Sequence, residues 1–351
     1  MFTPEMLALR RPTAAASGPD THLLAYDDDD YLNCYDITDP SSPSFVSRIT
    51  RPHSQDQANR VAIKDGYLYS AHRVGDSINI IDVSDPSSMS FTANVSISPD
   101  TDPQFVYAHP DKDFIVTQGT NTRGILTIDI SNPASPSANA RSVAIGNRFV
   151  PDSGFNRAFT VQNAGTQLTS YALANSAMGS ETVESLSITS DSRESIEWDV
   201  SPVDGNNYLW HGGINYLAVV EFGSDLTPDS EYYVADDLNY DRVTNIRALP
   251  ADLYSTTYKS VVAVTSRDKD KLMIIGYDGS TFTILASDVP SGASLMGYGM
   301  AVTGNYIVSG DAGVNRFHIW EWDSETSVSL LSTVTDATYL NNIKTFITYT
   351  P

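Results

Sequence analysis

The stretch INIIDVSDPSSMSF, residues 78–91, ends an apolar run at Asp82 and continues into Asp85-Pro86 and two serines. Aspartate, proline and serine in that order favour a turn, because proline fixes φ and short polar side chains bond nearby backbone N–H groups. The segment therefore reads as a strand that runs into a turn. The same wording returns as LNCYDITDPSSPSF from Leu32 and as ILTIDISNPASPS from Ile125. Aligned on Asp36, Asp82 and Asp129, the copies lie 46 and 47 residues apart, each with a proline four residues on, at Pro40, Pro86 and Pro133. A period of roughly 40–50 residues belongs to architectures assembled from four-stranded units.

Around the second copy four short strands can be marked: NRVAI, then YLYSAHR after Lys64-Asp65-Gly66, then SINIIDV after Val74-Gly75-Asp76, and SFTANVSI beyond the proline turn. The third copy repeats the scheme with QFVYAHP, DFIVTQG, GILTIDIS and the segment to Ile145. Later units lose the wording and keep the rhythm. A fourth holds RFVPDSG to ETVESLSI; a fifth holds SIEWDVSP, NYLWHGG, NYLAVVEF and SEYYVAD, with Glu221 standing 92 residues, two periods, after Asp129. The sixth, VTNIRALP to STFTILAS, contains the tight-turn pair Asp278-Gly279, and the seventh runs from YGMAVTG to SVSLLSTV. The first unit is one strand short, and YLNNIKTFITYTP is left over at the other end of the chain. A ring in which one terminus completes the unit begun by the other leaves no open sheet edge. The expectation is an all-β, seven-bladed β-propeller of four-stranded antiparallel blades over residues 21–351, closed by the C-terminal strand, with an N-terminal extension over 1–20.

The phrases YDITDPSSP, IIDVSDPSS and TIDISNPASP resemble the LVIVD repeat of WD40-like β-propellers, in which each blade carries an apolar strand, an aspartate and a Ser/Asn-Pro turn. A looser resemblance joins SGPDTHLLAYDDDDYLNCYDI and IIGYDGSTFTILAS to propeller proteins encoded among the structural genes of tailed bacteriophages. The first resemblance implies a fold and leaves the function open, since propellers host binding, scaffolding and several enzyme chemistries.

Composition narrows the partners. With 43 acids against 21 Lys plus Arg, a net charge of −22 opposes a nucleic-acid surface, whose affinity comes from basic side chains. A single cysteine, Cys34, excludes an internal disulfide. It sits between strand neighbours with no cation to lower its thiol pKa, and is expected to be unreactive. No run approaches the ~18 apolar residues of a membrane-spanning helix, and the first residues read as no signal peptide, their basic pair following the short apolar stretch.

Chemistry-bearing motifs are sparse. His22, His53, His72, His109, His211 and His318 are scattered over the units without a metal-binding spacing. The run Asp27 to Asp30 is a turn or a calcium loop; Asp237-x-Asn239-x-Asp241 begins like a calcium loop but lacks the later glycine and bidentate glutamate. SGDAGVNRF, Ser309 to Phe317, resembles the aspartate box of sialidase propellers, and also suits a plain turn. Trp198, Trp210, Trp320 and Trp322 suit packing between blades. Tyr232, Tyr233, Tyr240, Tyr254 and Tyr258 crowd a segment that departs from the repeat, and form the candidate interface.

Taken together these features lead to the expectation of a non-enzymatic binding or structural module. It would be virion-associated, contacting other virion subunits or a host receptor or glycan, with no cofactor unless calcium. The alternatives are a propeller hydrolase, sialidase- or lactonase-like, with a site on the ring axis, or an adhesion propeller at the cell surface.

Overall fold

A computed structural model of the chain describes residues 21–27, 31–50, 60–73, 75–98, 102–119, 124–141, 148–161, 167–173, 181–185, 193–223, 226, 228–235, 242–250, 257–294, 296–311, 314–324, 326–336, 340, 343 and 345–351. The extension expected over 1–20 lies outside the described residues. Among the described residues, twenty-eight strands form seven four-stranded antiparallel sheets. Blade 2 shows the plan: β4 (Ala62–Lys64), β5 (Tyr67–His72), β6 (Ser77–Asp82) and β7 (Ser90–Ser96) follow one another from the inside of the ring outwards. The first hairpin turns through Asp65 and Gly66, both at positive φ (50° and 78°), the geometry that the Asp-Gly pair favours.

Blades 3 to 7 repeat this order. Their innermost strands are β8 (Pro103–Ala108), β12 (Arg148–Pro151), β16 (Arg193–Val200), β20 (Val243–Ala248) and β24 (Met296–Thr303). Blade 1 is made from both ends of the chain. The last strand, β28 (Thr345–Tyr349), pairs with β1 (His22–Tyr26), setting His22 opposite Tyr349 and Leu24 opposite Ile347, and β2 (Tyr31–Asp36) and β3 (Ser44–Thr50) complete the sheet. The closure read from the missing strand is therefore the one observed. Each innermost strand touches the next, from β4 through β8, β12, β16, β20 and β24 to β28 and back to β4. Seven blades thus form one closed ring.

The core consists of wedges between neighbouring blades. Leu24, Cys34, Leu68, Ile80 and Ile128 pack in one cluster across blades 1 to 3, whereas Phe317, Ile319, Leu23 and Phe346 join blade 7 to blade 1. Second and third strands are covered on both faces, and so β5 and β6 are buried almost throughout, with the polar Ser70 and Asn79 enclosed among their apolar residues. Outermost strands such as β3 face solvent. The four tryptophans are buried, with Trp210 stacked at 5.1 Å on Phe282 of the next blade and Trp198 at 4.7 Å on Phe159. Cys34 is fully buried, and burial pushes its thiol up to about 12. Among the described residues no helix is long and apolar enough to cross a membrane.

The repeated phrase is a pair of Asx turns. Asp82 Oδ1 accepts the N–H of Ser84 at 3.0 Å, and three residues later Asp85 Oδ1 accepts that of Ser87 at 2.9 Å. Asp36 and Asp39 do the same for Thr38 and Ser41, as do Asp129 and Asn132 for Ser131 and Ala134. The turn also staples blades together: Ser47 of β3 donates to the Pro86 carbonyl, and Ser332 of β27 (Ser327–Thr335) donates to the Pro40 carbonyl at 2.7 Å. The equivalent outer position of blade 2 is Ala93, which has no hydroxyl to give to Pro133.

Candidate functional site on the ring axis

Because innermost strands face a common centre, residues from all seven blades meet there. Two adjoining cavities of about 540 and 300 Å³ occupy that centre and share Arg60, Glu197, Ala248 and Val302 in their walls. Between them lies a charged cluster. Arg60, held by a bridge to Phe105 just before β4, donates through Nη1 to Glu197 Oε2 while its Nη2 stands 3.4 Å from Oε1. Arg247 of β20 approaches the same carboxylate with Nη1 at 3.5 Å from Oε2. Side-chain exposures of 23% for Arg60, 12% for Arg247 and 9% for Glu197 show how far the three are withdrawn from water. Burial works against both cations. Glu197 outweighs it at Arg60, whose pKa is raised, whereas burial and the neighbouring Arg60 bring Arg247 down to about 10.

The larger cavity opens where β12, β16 and β20 end. Tyr107, Phe155, Trp198, Leu249 and Pro250 give it apolar walls, and Arg60, Glu197 and Asp199 give it polar ones. Strand alternation sends Glu197 and Asp199 to one side of β16, towards blade 6, and Trp198 to the other, against Phe159 of blade 4. Asp199 is held by two donors: Val200 N–H to Oδ1 at 2.8 Å and Ser260 Oγ–H to Oδ2 at 2.5 Å. Ser260 in turn accepts Trp210 Nε1–H at 2.8 Å. Burial raises the Asp199 carboxyl to about 6, against the lowering effect of those two hydrogen bonds. The Tyr107 ring lies 4.6 Å from the Arg60 guanidinium, its hydroxyl donates to Phe149 O at 3.0 Å, and burial raises its pKa.

The residues singled out from sequence lie elsewhere. Tyr232, half-buried on β19 (Pro228–Ala235), packs on Tyr277 and Phe282 with centroids 5.7 and 4.8 Å away. Tyr258 covers Gly276, where an added Cβ would sit 2.6 Å from its ring. Both therefore act in packing. Tyr233 pairs through its backbone with Ala218, and Tyr240 and Tyr254 lie outside the described residues. Asp27 is buried and accepts Tyr31 N–H at 2.9 Å and Asn33 Nδ2–H at 3.1 Å, the role of a turn cap. The rest of that acidic run and Asp237, Asn239 and Asp241 lie outside the described residues. Asp311 of the aspartate-box-like segment accepts Ser294 N–H and Arg316 Nε–H, again fixing a turn. His109 receives the Asp111 and Lys112 N–H groups on Nδ1, and His318 shares a hydrogen bond with Thr333. Among the described residues no three His, Cys, Asp or Glu side chains converge as metal ligands.

Comparison with known proteins agrees with the ring. Residues 25–50, 56–96 and 120–142 match the LVIVD repeat, so the chain carries that repeat in its first three blades. No curated protein matches the sequence significantly. Among solved structures, the chain is similar to a candidate 6-phosphogluconolactonase of Bacteroides fragilis NCTC 9343 (TM-score 0.73, 12% identity, covering 96% of this chain and 99% of that one). It is similar also to the periplasmic gluconolactonase of Pseudomonas aeruginosa (TM-score 0.71, 11% identity, 94% and 99% covered). The hydrazine synthase of Kuenenia stuttgartiensis shares the ring more loosely (TM-score 0.55, 13% identity, 76% and 77% covered). At such identities the shared property is the fold, and the named activities are the neighbours' own. The expectation of a non-enzymatic, virion-associated module is nevertheless corrected. Full-length neighbours of this ring are named as lactonases, so the fold does not single out a structural module. The looser likeness to phage propellers gains no support from these comparisons.

Proposed function

We propose that the chain is a hydrolase acting on a small sugar-derived lactone in the larger axial cavity. The observation that carries this reading is the buried Asp199 carboxyl, raised to about 6, in the same cavity as the Arg60 guanidinium. A carboxyl with that pKa is ionised near neutrality yet basic enough to accept a proton, which is what a general base requires. Asp199 takes a proton from water as the water oxygen bonds to the lactone carbonyl carbon. The guanidinium of Arg60 stabilises the negative charge that develops on the carbonyl oxygen. When the tetrahedral species collapses, the bond to the ring oxygen breaks, and that oxygen takes the proton back from Asp199. The product is the open hydroxy acid. Tyr107 and Trp198 provide flat apolar walls for the sugar ring. The names of the fold's lactonase neighbours support the choice of substrate.

The test is proton release from gluconolactone in a lightly buffered solution at pH 6.5. Turnover above the spontaneous rate is expected, with a loss of about 100-fold or more in kcat for Asp199→Asn. Equal rates with and without protein across a panel of sugar lactones, or full activity in Asp199→Asn, would overturn the reading.

A further inference from the structure

The smaller axial cavity contains no Asp199, yet it holds two guanidinium groups against one carboxylate. We propose that it binds a small oxyanion, a carboxylate or phosphate group, between Arg60 and Arg247. Of the residues lining this cavity, the charged ones are Arg60, Arg247 and Glu197. One carboxylate balances one cation, and the Arg60 contact already engages both Glu197 oxygens. A positive charge is left over beside Met300, Phe346 and other apolar neighbours. An uncompensated charge in such surroundings is costly, and an incoming anion removes the cost.

The guanidinium of Arg247 is also fixed in place for this task. Its Nε donates to Met300 O at 3.1 Å and its Nη1 to Ile246 O at 2.8 Å, which sets the plane of the group. Its Nη2 has no hydrogen-bond acceptor among the described residues. Donors held rigidly before the ligand arrives lose little entropy on binding, and a planar guanidinium matches the spacing of two oxyanion oxygens. A cavity of about 300 Å³ accommodates a phosphate or a short sugar acid. The depressed Arg247 pKa accords with a cation that lacks an anion. The chain's net charge of −22 repels anions at a distance, so saturable anion binding reports a local site and not a general basic surface.

The site stands whether or not the larger cavity hydrolyses a lactone, and its test uses no substrate. Inorganic phosphate is titrated into the full chain by calorimetry at pH 7, with ionic strength held constant by chloride, and melting is followed in parallel. Saturable binding is expected with a Kd of about 1 mM or lower and a matching rise in Tm. Arg247→Gln should weaken binding about tenfold or more, whereas Glu197→Gln, which frees both arginines, should tighten it about tenfold. The second variant carries the test if the first does not fold, because damage to the fold cannot produce tighter binding. Absence of saturable binding, or unchanged or weaker binding by Glu197→Gln, overturns the proposal. The source of the anion is then separated by kinetics. A lower KM for a lactone carrying a phosphate or carboxylate group than for its neutral counterpart, lost in Arg247→Gln, places the acid group on the substrate, and equal KM values mark a free anion.

Discussion

Blades 1 to 3 and blades 5 and 7 solve the same turn in two ways. In the first three, the aspartate at the end of the third strand bonds the backbone two residues on, so Asp82 serves Ser84 without help from another strand. At the equivalent place in blades 5 and 7 stand Glu221 and Glu321, opposite Tyr208 and Tyr306 just as Asp82 is opposite Tyr67. The longer acid reaches sideways. Glu221 accepts Asn206 Nδ2–H at 2.9 Å and Tyr208 O–H at 3.2 Å and lies 3.5 Å from Lys259 of blade 6; Glu321 accepts Asn305 Nδ2–H at 3.0 Å. A local turn depends on a few consecutive residues and keeps its spelling, whereas a turn held by neighbouring strands can be spelled in several ways. The repeat therefore marks turn chemistry at one end of each blade and says little about the axis. Glu197, Asp199 and Arg247 come from blades 5 and 6, where the wording has drifted.

The comparison can be broken most severely where its two halves meet. Deleting residues 345–351 removes β28, the innermost strand of blade 1 and its bridge to blade 7. A loss of more than ~4 kcal/mol, with no cooperative unfolding transition left, is expected in urea; a melting curve like that of the full chain would refute closure by this strand.

Asp199→Asn probes the drifted half. The folded carboxyl titrates at about 6, above the ordinary value of 3.8, so the folded state binds more protons than the unfolded state in between. Stability from this group is present below about pH 4 and is lost as pH rises to about 6. The asparagine variant should abolish that slope and gain up to ~3 kcal/mol above pH 6 relative to wild type, less whatever the altered Ser260 contact costs. Difference curves of urea midpoint against pH would show it, and parallel curves would contradict the raised pKa.

Glu221→Ala should cost about 1–2 kcal/mol, because it strips partners from Asn206, Tyr208 and Lys259 at once. Asp82→Ala, which loses only an exposed local turn, should cost about 0.5–1 kcal/mol. Equal losses would mean that the sideways contacts add nothing. The smallest effect is a gain. Ala93→Ser gives blade 2 the hydroxyl that Ser47 and Ser332 supply in blades 1 and 7, and a bond to the Pro133 carbonyl should add ~0.5–1 kcal/mol; no change in Tm would show that this staple contributes nothing to stability.

Much of the ring could be read directly from the chain. The spacing of Asp36, Asp82 and Asp129, the Asp65-Gly66 hairpin and the unpaired TFITY at the C-terminus are signals in consecutive residues, and strand pairing within a blade joins segments adjacent in sequence. Seven units and closure by the last strand follow from counting. The axial site does not, because Arg60, Tyr107, Glu197 and Arg247 are separated by 47, 90 and 50 residues and meet only when the ring closes. A trace of it was present in SIEWDVSP and VTNIRALP, where charged residues interrupt apolar strands. Such a charge is silent about its partner, and whether Glu197 and Arg247 face solvent or each other depends on which strand is innermost. The crowded tyrosines illustrate the converse: Tyr232 and Tyr258 stood out by composition, and packing against Phe282 and Gly276 gave them their place. Periodic backbone chemistry is written locally, whereas the charge balance and burial that raise Asp199 and lower Arg247 arise from distant strands excluding water together.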